Sequence, residues 1–144
     1  MTDLHFSELQ IGDTLPQVQH AVTQDTIDRC AVAHLDYNPL HTDIEWCETA
    51  QVLSPKTVCH GMFTMSLMTS VVLRAWHRAG AFVNSIDAKL TRPVEVGQTL
   101  RCDGQVIELH PRGPGESFVV VGLTAINTQG DTVGVGQARV TVPD

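Results

Sequence analysis

The chain reads as α+β, a curved antiparallel sheet of about five strands wrapped around one long central helix. Three observations predict this. Residues 61–78 form a long, strongly apolar run with no proline and no interior glycine. Four segments rich in β-branched residues follow it in succession, separated by turn-forming clusters. At 144 residues the chain has the length of one typical domain, so it is read as a single unit spanning 1–144, without internal repeat, low-complexity tract or linker.

Composition narrows the function classes. With 42% hydrophobic and 17% charged residues, a chain of this size buries roughly two-thirds of its unfolded surface and needs no disulfide or metal staple. Cys30, Cys47, Cys59 and Cys102 are scattered without a CxxC pair, and Met1 to His5 shows neither basic region nor apolar core of a signal peptide. Free thiols in a reducing cytoplasm are therefore expected. Thr64, Ser66, Thr69, Ser70 and Arg74 interrupt the longest apolar run, which falls short of the roughly 20 residues of a membrane span. A formal charge of −7 and an isoelectric point near 5.3 argue against a nucleic-acid surface. The expectation is a soluble protein that engages neither nucleic acid nor membrane.

The elements follow in order. Phe6 to Gly12 is short and turn-like, and residues 15–22 alternate apolar with polar as a half-buried strand does. Thr23 is placed to cap a helix in which Ile27, Cys30 and Ala31 recur at helical spacing, with Asp25 and Asp28 where the helix dipole favours acid. That helix stops at Asp36. Pro39 biases Asn38 away from helical angles, and Asp and Asn readily close side-chain-to-backbone turns, so residues 36–41 form a fixed bend. A helical turn over 43–48 follows, then a loop over 51–59 able to cover a pocket. The run from Gly61 to Arg78 predicts a helix of roughly 27 Å, apolar nearly all round and hence central to the core. Strands over 82–94, 99–109, 117–127 and 132–142 complete the chain, and their succession predicts a meander.

The stretch Asp36-Tyr37-Asn38-Pro39-Leu40-His41 carries the chemistry, because it sets a carboxylate and an imidazole five positions apart around a rigid turn. His60-Gly61, heading the long helix, adds backbone N–H groups suited to a developing oxyanion. The plain alternative is that Asp36 and Asn38 only cap a turn, that His41 is a loop histidine and that Gly61 serves packing. His41, Cys47, Cys59 and His60 lack the recurrent zinc spacings, so no metal site and no cofactor are expected. Cys59 reads as a buried, inert thiol.

Asp36-x-Asn38-Pro39-x-His41, with His60-Gly61-Met62 opening a long helix about twenty residues on, resembles the MaoC-like (R)-specific enoyl-CoA hydratase and 3-hydroxyacyl dehydratase family. Phe6-x-x-Leu9-x-Ile11-Gly12-Asp13 and Arg92-Pro93-Val94-x-x-Gly97 extend the likeness across nearly the whole chain, and the small catalytic subunits of the mycobacterial-type fatty acid dehydratase are a near match in length. The resemblance implies a hot-dog fold, and a homodimer or a heterodimer with a related subunit that joins two sheets edge to edge. It also implies reversible hydration of trans-2-enoyl thioesters, carried by coenzyme A or an acyl carrier protein, to (R)-3-hydroxyacyl thioesters. Asp36 and His41 would hold and activate water, and the Gly61 N–H would bind the thioester carbonyl. Asn38, His60 and Thr69 would serve substrate binding, although a Thr69 hydroxyl bonded to a backbone carbonyl fits equally. Lys56, Lys89 and Arg92 are candidate cations for an anionic carrier.

Two other functions compete. Hot-dog thioesterases commonly draw a carboxylate from the central helix or its start, and residues 61–78 contain no Asp or Glu. Silent family subunits that only shape a partner's tunnel typically lack the Asp/His pair, which this chain keeps. The chain departs from its relatives at His34-Leu35, where Ser or Thr followed by Gly is usual. Leucine tolerates positive φ less well than glycine, so an altered bend or a narrower pocket mouth is expected.

Overall fold

The computed structural model describes residues 5–144, which leaves Met1 to Leu4 of the N-terminal reading outside the described residues. A single 3₁₀ turn over Phe6–Glu8 precedes strand β1, Val18–Ala21. Thr23 caps helix α1, Gln24–His34, by accepting a hydrogen bond from the Thr26 N–H. Two short helices follow, α2 over Pro39–Thr42 and α3 over Ile44–Ala50. Asn38 and Asp43 cap them through side-chain oxygens, and Pro39 sits in the first turn of α2, where its missing N–H costs nothing. The long helix α4 runs over Gly61–Trp76 and tightens into a 3₁₀ turn over His77–Ala79. Strands β2 (Phe82–Leu90), β3 (Thr99–His110), β4 (Phe118–Ile126) and β5 (Thr132–Thr141) complete one antiparallel five-stranded sheet.

The strand order is β1-β3-β4-β5-β2. Only β3, β4 and β5 form the meander expected of four successive strands; β2 pairs with β5 at the far edge instead of with β3. The link over 91–98 explains this. It is too long for a tight hairpin, and its backbone is satisfied by the segment over 57–59 and by Val22: Cys59 N–H donates to Val94 C=O, Val96 N–H to Thr57 C=O, and Gly97 N–H to Val22 C=O. The chain thus crosses from one sheet edge to the other. The first strand is shorter than its alternation predicts, with Leu15 and Thr14 reaching β3 only through isolated contacts to Gly104 and Gln105.

Helix α4 lies in the hollow of the sheet. Thr64, Leu67, Met68, Val71, Val72, Ala75 and Trp76 are buried, one i, i+3, i+4 stripe aimed at the inner face. Gly104 on β3 permits the close approach, because a Cβ there would stand 2.9 Å from Val71 Cγ1. Val106, Val119, Val121, Val133 and Val140 complete the core. The reading of α4 as apolar and buried nearly all round needs correction: Met62 and Leu73 are 54% and 41% exposed, and Met65 and Thr69 are half-buried. That stripe faces away from the sheet. Among the described residues no helix is long and apolar enough to cross a membrane.

Candidate active site

The geometry of the Asp36 corner begins in the helix that precedes it. Leu35 ends α1 in the left-handed conformation, φ 54° and ψ 38°, with its N–H reaching back to Ala31 and Val32 C=O. The turn is therefore made even though leucine stands where glycine would be free of strain. Asp36 N–H donates to Ala31 C=O at 3.0 Å, and Asp36 Oδ1 accepts the Asn38 N–H at 3.2 Å. Asn38 Oδ1 in turn accepts the Leu40 N–H at 3.1 Å, so its amide builds the bend. The opposite carboxylate oxygen, Asp36 Oδ2, stands 3.7 Å from His41 Nε2.

His41 is held on three sides. Its Nδ1 lies 2.7 Å from Val58 C=O, and a carbonyl only accepts, so Nδ1 carries a proton and Nε2 is the nitrogen turned toward Asp36. Its own carbonyl accepts from Gln24 Nε2, whose Oε1 accepts the Thr57 hydroxyl. One residue of α1 thus ties α2 to the segment that supplies Val58. The His60 ring stacks on the His41 ring with centroids 3.7 Å apart and planes 24° from parallel.

An open cavity of about 270 Å³ lies beside this corner. His41, Val58, Cys59, Gly61, Thr64, Leu90 and Val94 line it, with Leu53 and Arg92 toward solvent. Gly61 is the first residue of α4, so its N–H has no acceptor within the helix and stands at the positive end of the helix dipole. A Cβ at Gly61 would meet Leu90 Cδ1, the tip of a flexible side chain, so the glycine lets Leu90 lie directly over the helix start. Cys59 is buried near Thr64, and burial pushes its thiol up from 9.0 to about 11, which suits an inert wall better than a nucleophile.

The structure therefore brings His41 and Gly61 to one cavity, sets Asp36 beside His41 without making it part of the lining, and distributes the other expected residues differently. Asn38 shapes the bend. Thr69 donates to Met65 C=O at 2.9 Å and lies on the uncovered stripe of α4, away from this cavity. His60 is 2% exposed, behind His41, and does not line the cavity. Arg92 is at the mouth, with Asp131 3.5 Å from its guanidinium. Sequence reasoning did not single out Thr64, Leu53 or Leu90. Thr64 carried a usable signal, one turn after Gly61 on the same face; Leu90 carried none, because its place depends on the crossing of β2 to the far edge.

Asp36, His41 and His60 each have one ligand-capable atom within 4.8 Å of the others, a grouping the linear spacing did not reveal. His60 Nε2 is engaged by the Asp36 carbonyl and His41 Nδ1 by the Val58 carbonyl, so an ion shared by the three side chains would have to displace at least the first of these bonds or reach the buried His60 Nδ1. The donor set fits acid–base work better than metal binding.

A MaoC like domain model matches residues 7–129. No curated protein matches. Among solved structures, the chain is similar to the (R)-hydratase PhaJ1 of Pseudomonas aeruginosa, with 22% identity, a TM-score of 0.88, and coverage of 99% of this chain and 87% of that one. The (R)-hydratase of A. caviae involved in PHA biosynthesis aligns at 19% identity and TM-score 0.83, covering 94% and 98% of the two chains. The ChsH1-ChsH2 complex of Mycobacterium tuberculosis aligns at 21% identity and TM-score 0.76, covering 92% and 98%. The shared architecture is the hot-dog fold, a sheet wrapped on one helix. With the family model spanning most of its length, the chain belongs to the MaoC-like dehydratase family.

Proposed function

We propose that this protein is a hydro-lyase that interconverts trans-2-enoyl and (R)-3-hydroxyacyl thioesters. The observation that carries the reading is the His41 ring, its Nε2 turned toward Asp36 by the Nδ1–H bond to Val58, on the wall of a cavity also lined by Gly61 at the start of α4. In the hydration direction a water held between Asp36 Oδ2 and His41 Nε2 gives a proton to the imidazole as its oxygen bonds to C3. The electron pair of the double bond moves through C2 to the thioester oxygen, where the Gly61 N–H and the helix dipole stabilise the negative charge. A proton from the same pair then reaches C2, and dehydration is the reverse. The separation of 3.7 Å between Asp36 and His41 supports a shared third atom, since it is too long for a direct hydrogen bond.

The unpaired outer edge of β2 and the open stripe of α4 support a second hot-dog subunit, identical or related, joined along β2. Phe82 and Leu90 on β2 and Met62 and Leu73 on α4 are exposed apolar residues there. Coenzyme A or carrier-protein thioesters are the substrate class. The test is loss of conjugated enoyl absorbance with crotonyl-CoA and longer or branched enoyl thioesters, by the protein alone and with candidate partner subunits. Asp36→Asn and His41→Gln should each lower kcat by about 10²–10⁴-fold, the range of a lost acid or base. Wild-type turnover retained by both variants would overturn the mechanism, and free thiol release without hydration would assign the chain to the thioesterases instead.

A further inference from the structure

We propose that His60 is the positioning residue of the acid–base pair: one imidazole that fixes the Asp36 main chain with its edge and the His41 ring with its face. The catalytic part of this proposal rests on the hydration reading above; the geometric part does not.

His60 Nε2 lies 3.0 Å from the Asp36 carbonyl, which only accepts, so the ring is protonated at Nε2. Together with the Asp36 N–H bond to Ala31, this pins the peptide groups on both sides of the Asp36 Cα. Only side-chain rotation remains to the carboxylate, and the Asn38 N–H restrains that. The face of the same ring lies against His41, opposing rotation about the single hydrogen bond that His41 makes to Val58. The two reactive groups, which sit on different elements, are thereby referred to one rigid body at the start of α4.

The chain accepts a cost for this. His60 Nδ1 is buried and has no hydrogen-bond partner among the described residues. Leaving such a group without a partner is destabilising, and a phenylalanine would fill the same place without that penalty. Phenylalanine, however, has no N–H for Asp36, and an amide side chain has no ring face for His41. Histidine is the compact side chain that supplies both. A buried histidine kept only for packing would not need either contact.

The experiment uses the full-length protein and three variants. His60→Phe keeps the face and loses the donor; His60→Gln keeps a donor and loses the face; His60→Ala loses both. Expected kcat losses are about 10-fold for the first two and about 10²-fold for the third, with KM changed less than about 3-fold, the signature of a displaced catalytic pair. In an Asp36→Asn background the His60→Ala loss should largely disappear, because both changes disable one unit. Unchanged kcat in a folded His60→Phe or His60→Gln variant, or full additivity with Asp36→Asn, would overturn the proposal.

Imidazole ¹⁵N spectra of the wild type provide a readout that needs no turnover. They should show two opposite tautomers, Nε2–H for His60 and Nδ1–H for His41. Rapid tautomer averaging at His60, or an Nδ1–H form, would remove the clamp even if the protein hydrates enoyl thioesters. Conversely, the expected tautomers with no hydratase activity would sink the functional reading while leaving the clamp in place.

Discussion

On the side of the cavity that carries His41, the polar groups that position the pair are tied to something rigid. The Asp36 main chain is bonded to α1 and to His60, the His41 ring to Val58 and His60, and the His41 carbonyl to Gln24. The side formed by Leu53, Leu90 and Arg92 is different: the two leucines are 55% and 41% exposed, and Arg92 reaches into solvent. A reaction that moves protons between fixed atoms needs the first kind of wall. A pocket that accommodates acyl chains of different shape is served by the second. On the proposed hydration reading, chemistry belongs to the backbone-anchored corner and selectivity to adjustable side chains.

The largest expected effect breaks the anchored side. Asp36→Asn and His41→Gln, with their losses of about 10²–10⁴-fold in kcat, should shift the thermal midpoint little, because Asp36 is half exposed and the amide of glutamine still reaches Val58. A large stability loss in both would mean that the pair serves the fold.

The next effect is seen at high pH and concerns the buried floor. Burial pushes the Cys59 thiol up to about 11 and, with Asp103 nearby, the Cys102 thiol up to about 12, from 9.0. Between pH 9 and 11 the unfolded chain gives up these protons while the folded chain keeps them. Stability therefore falls with rising pH, by up to ~1.4 kcal/mol per pH unit for each thiol. Denaturant titrations at pH 8 and pH 10.5 should show the decline, and Cys59→Ala should flatten part of it; an unchanged slope would place that thiol in contact with water.

The junction of the two walls comes third. Gly61→Ala puts a methyl group where Leu90 Cδ1 now lies, and the tip of a flexible side chain can move aside, so stability should hold. The displaced leucine then narrows the approach to the Gly61 N–H, and kcat/KM should fall about tenfold. Leu90→Ala in the same background should restore most of it, a coupling read by a double-mutant cycle. Leu90→Ala or Leu53→Ala alone should raise kcat/KM for an eight-carbon over a four-carbon enoyl-CoA by about tenfold, with kcat on the short substrate kept. Equal preference in all variants would move the selectivity elsewhere.

The smallest effect is at Leu35. Its side chain is 79% exposed while its backbone is left-handed, so Leu35→Gly removes strain and little packing. A gain of about 0.5–1 kcal/mol in unfolding free energy with unchanged turnover is expected. A drop in activity would show that the leucine guards the pocket mouth.

Much of this was legible from residue order. The Thr23 cap, the end of α1 at Asp36, the apolar stripe of α4 and all four late strands, though not the pairing of β2, follow from local rules of capping, periodicity and turn chemistry, which act over a few residues. Leu35 takes a left-handed turn that propensity alone would disfavour, held by the hydrogen bonds from the Leu35 and Asp36 N–H groups to Ala31. The joining of Asp36 to His41 was legible for the same local reason: five positions around a proline bend.

By itself, then, the sequence determined which residues could do chemistry and which segments would be helix or strand, since both depend on neighbours along the chain. Tertiary structure alone decided that β2 crosses to the far edge and lays Leu90 over Gly61, that Val58 selects the His41 tautomer, and that His60 sits behind the pair. Each of these joins segments 17 or more residues apart, and such contacts are set by the packing of the sheet around α4, which no local pattern encodes.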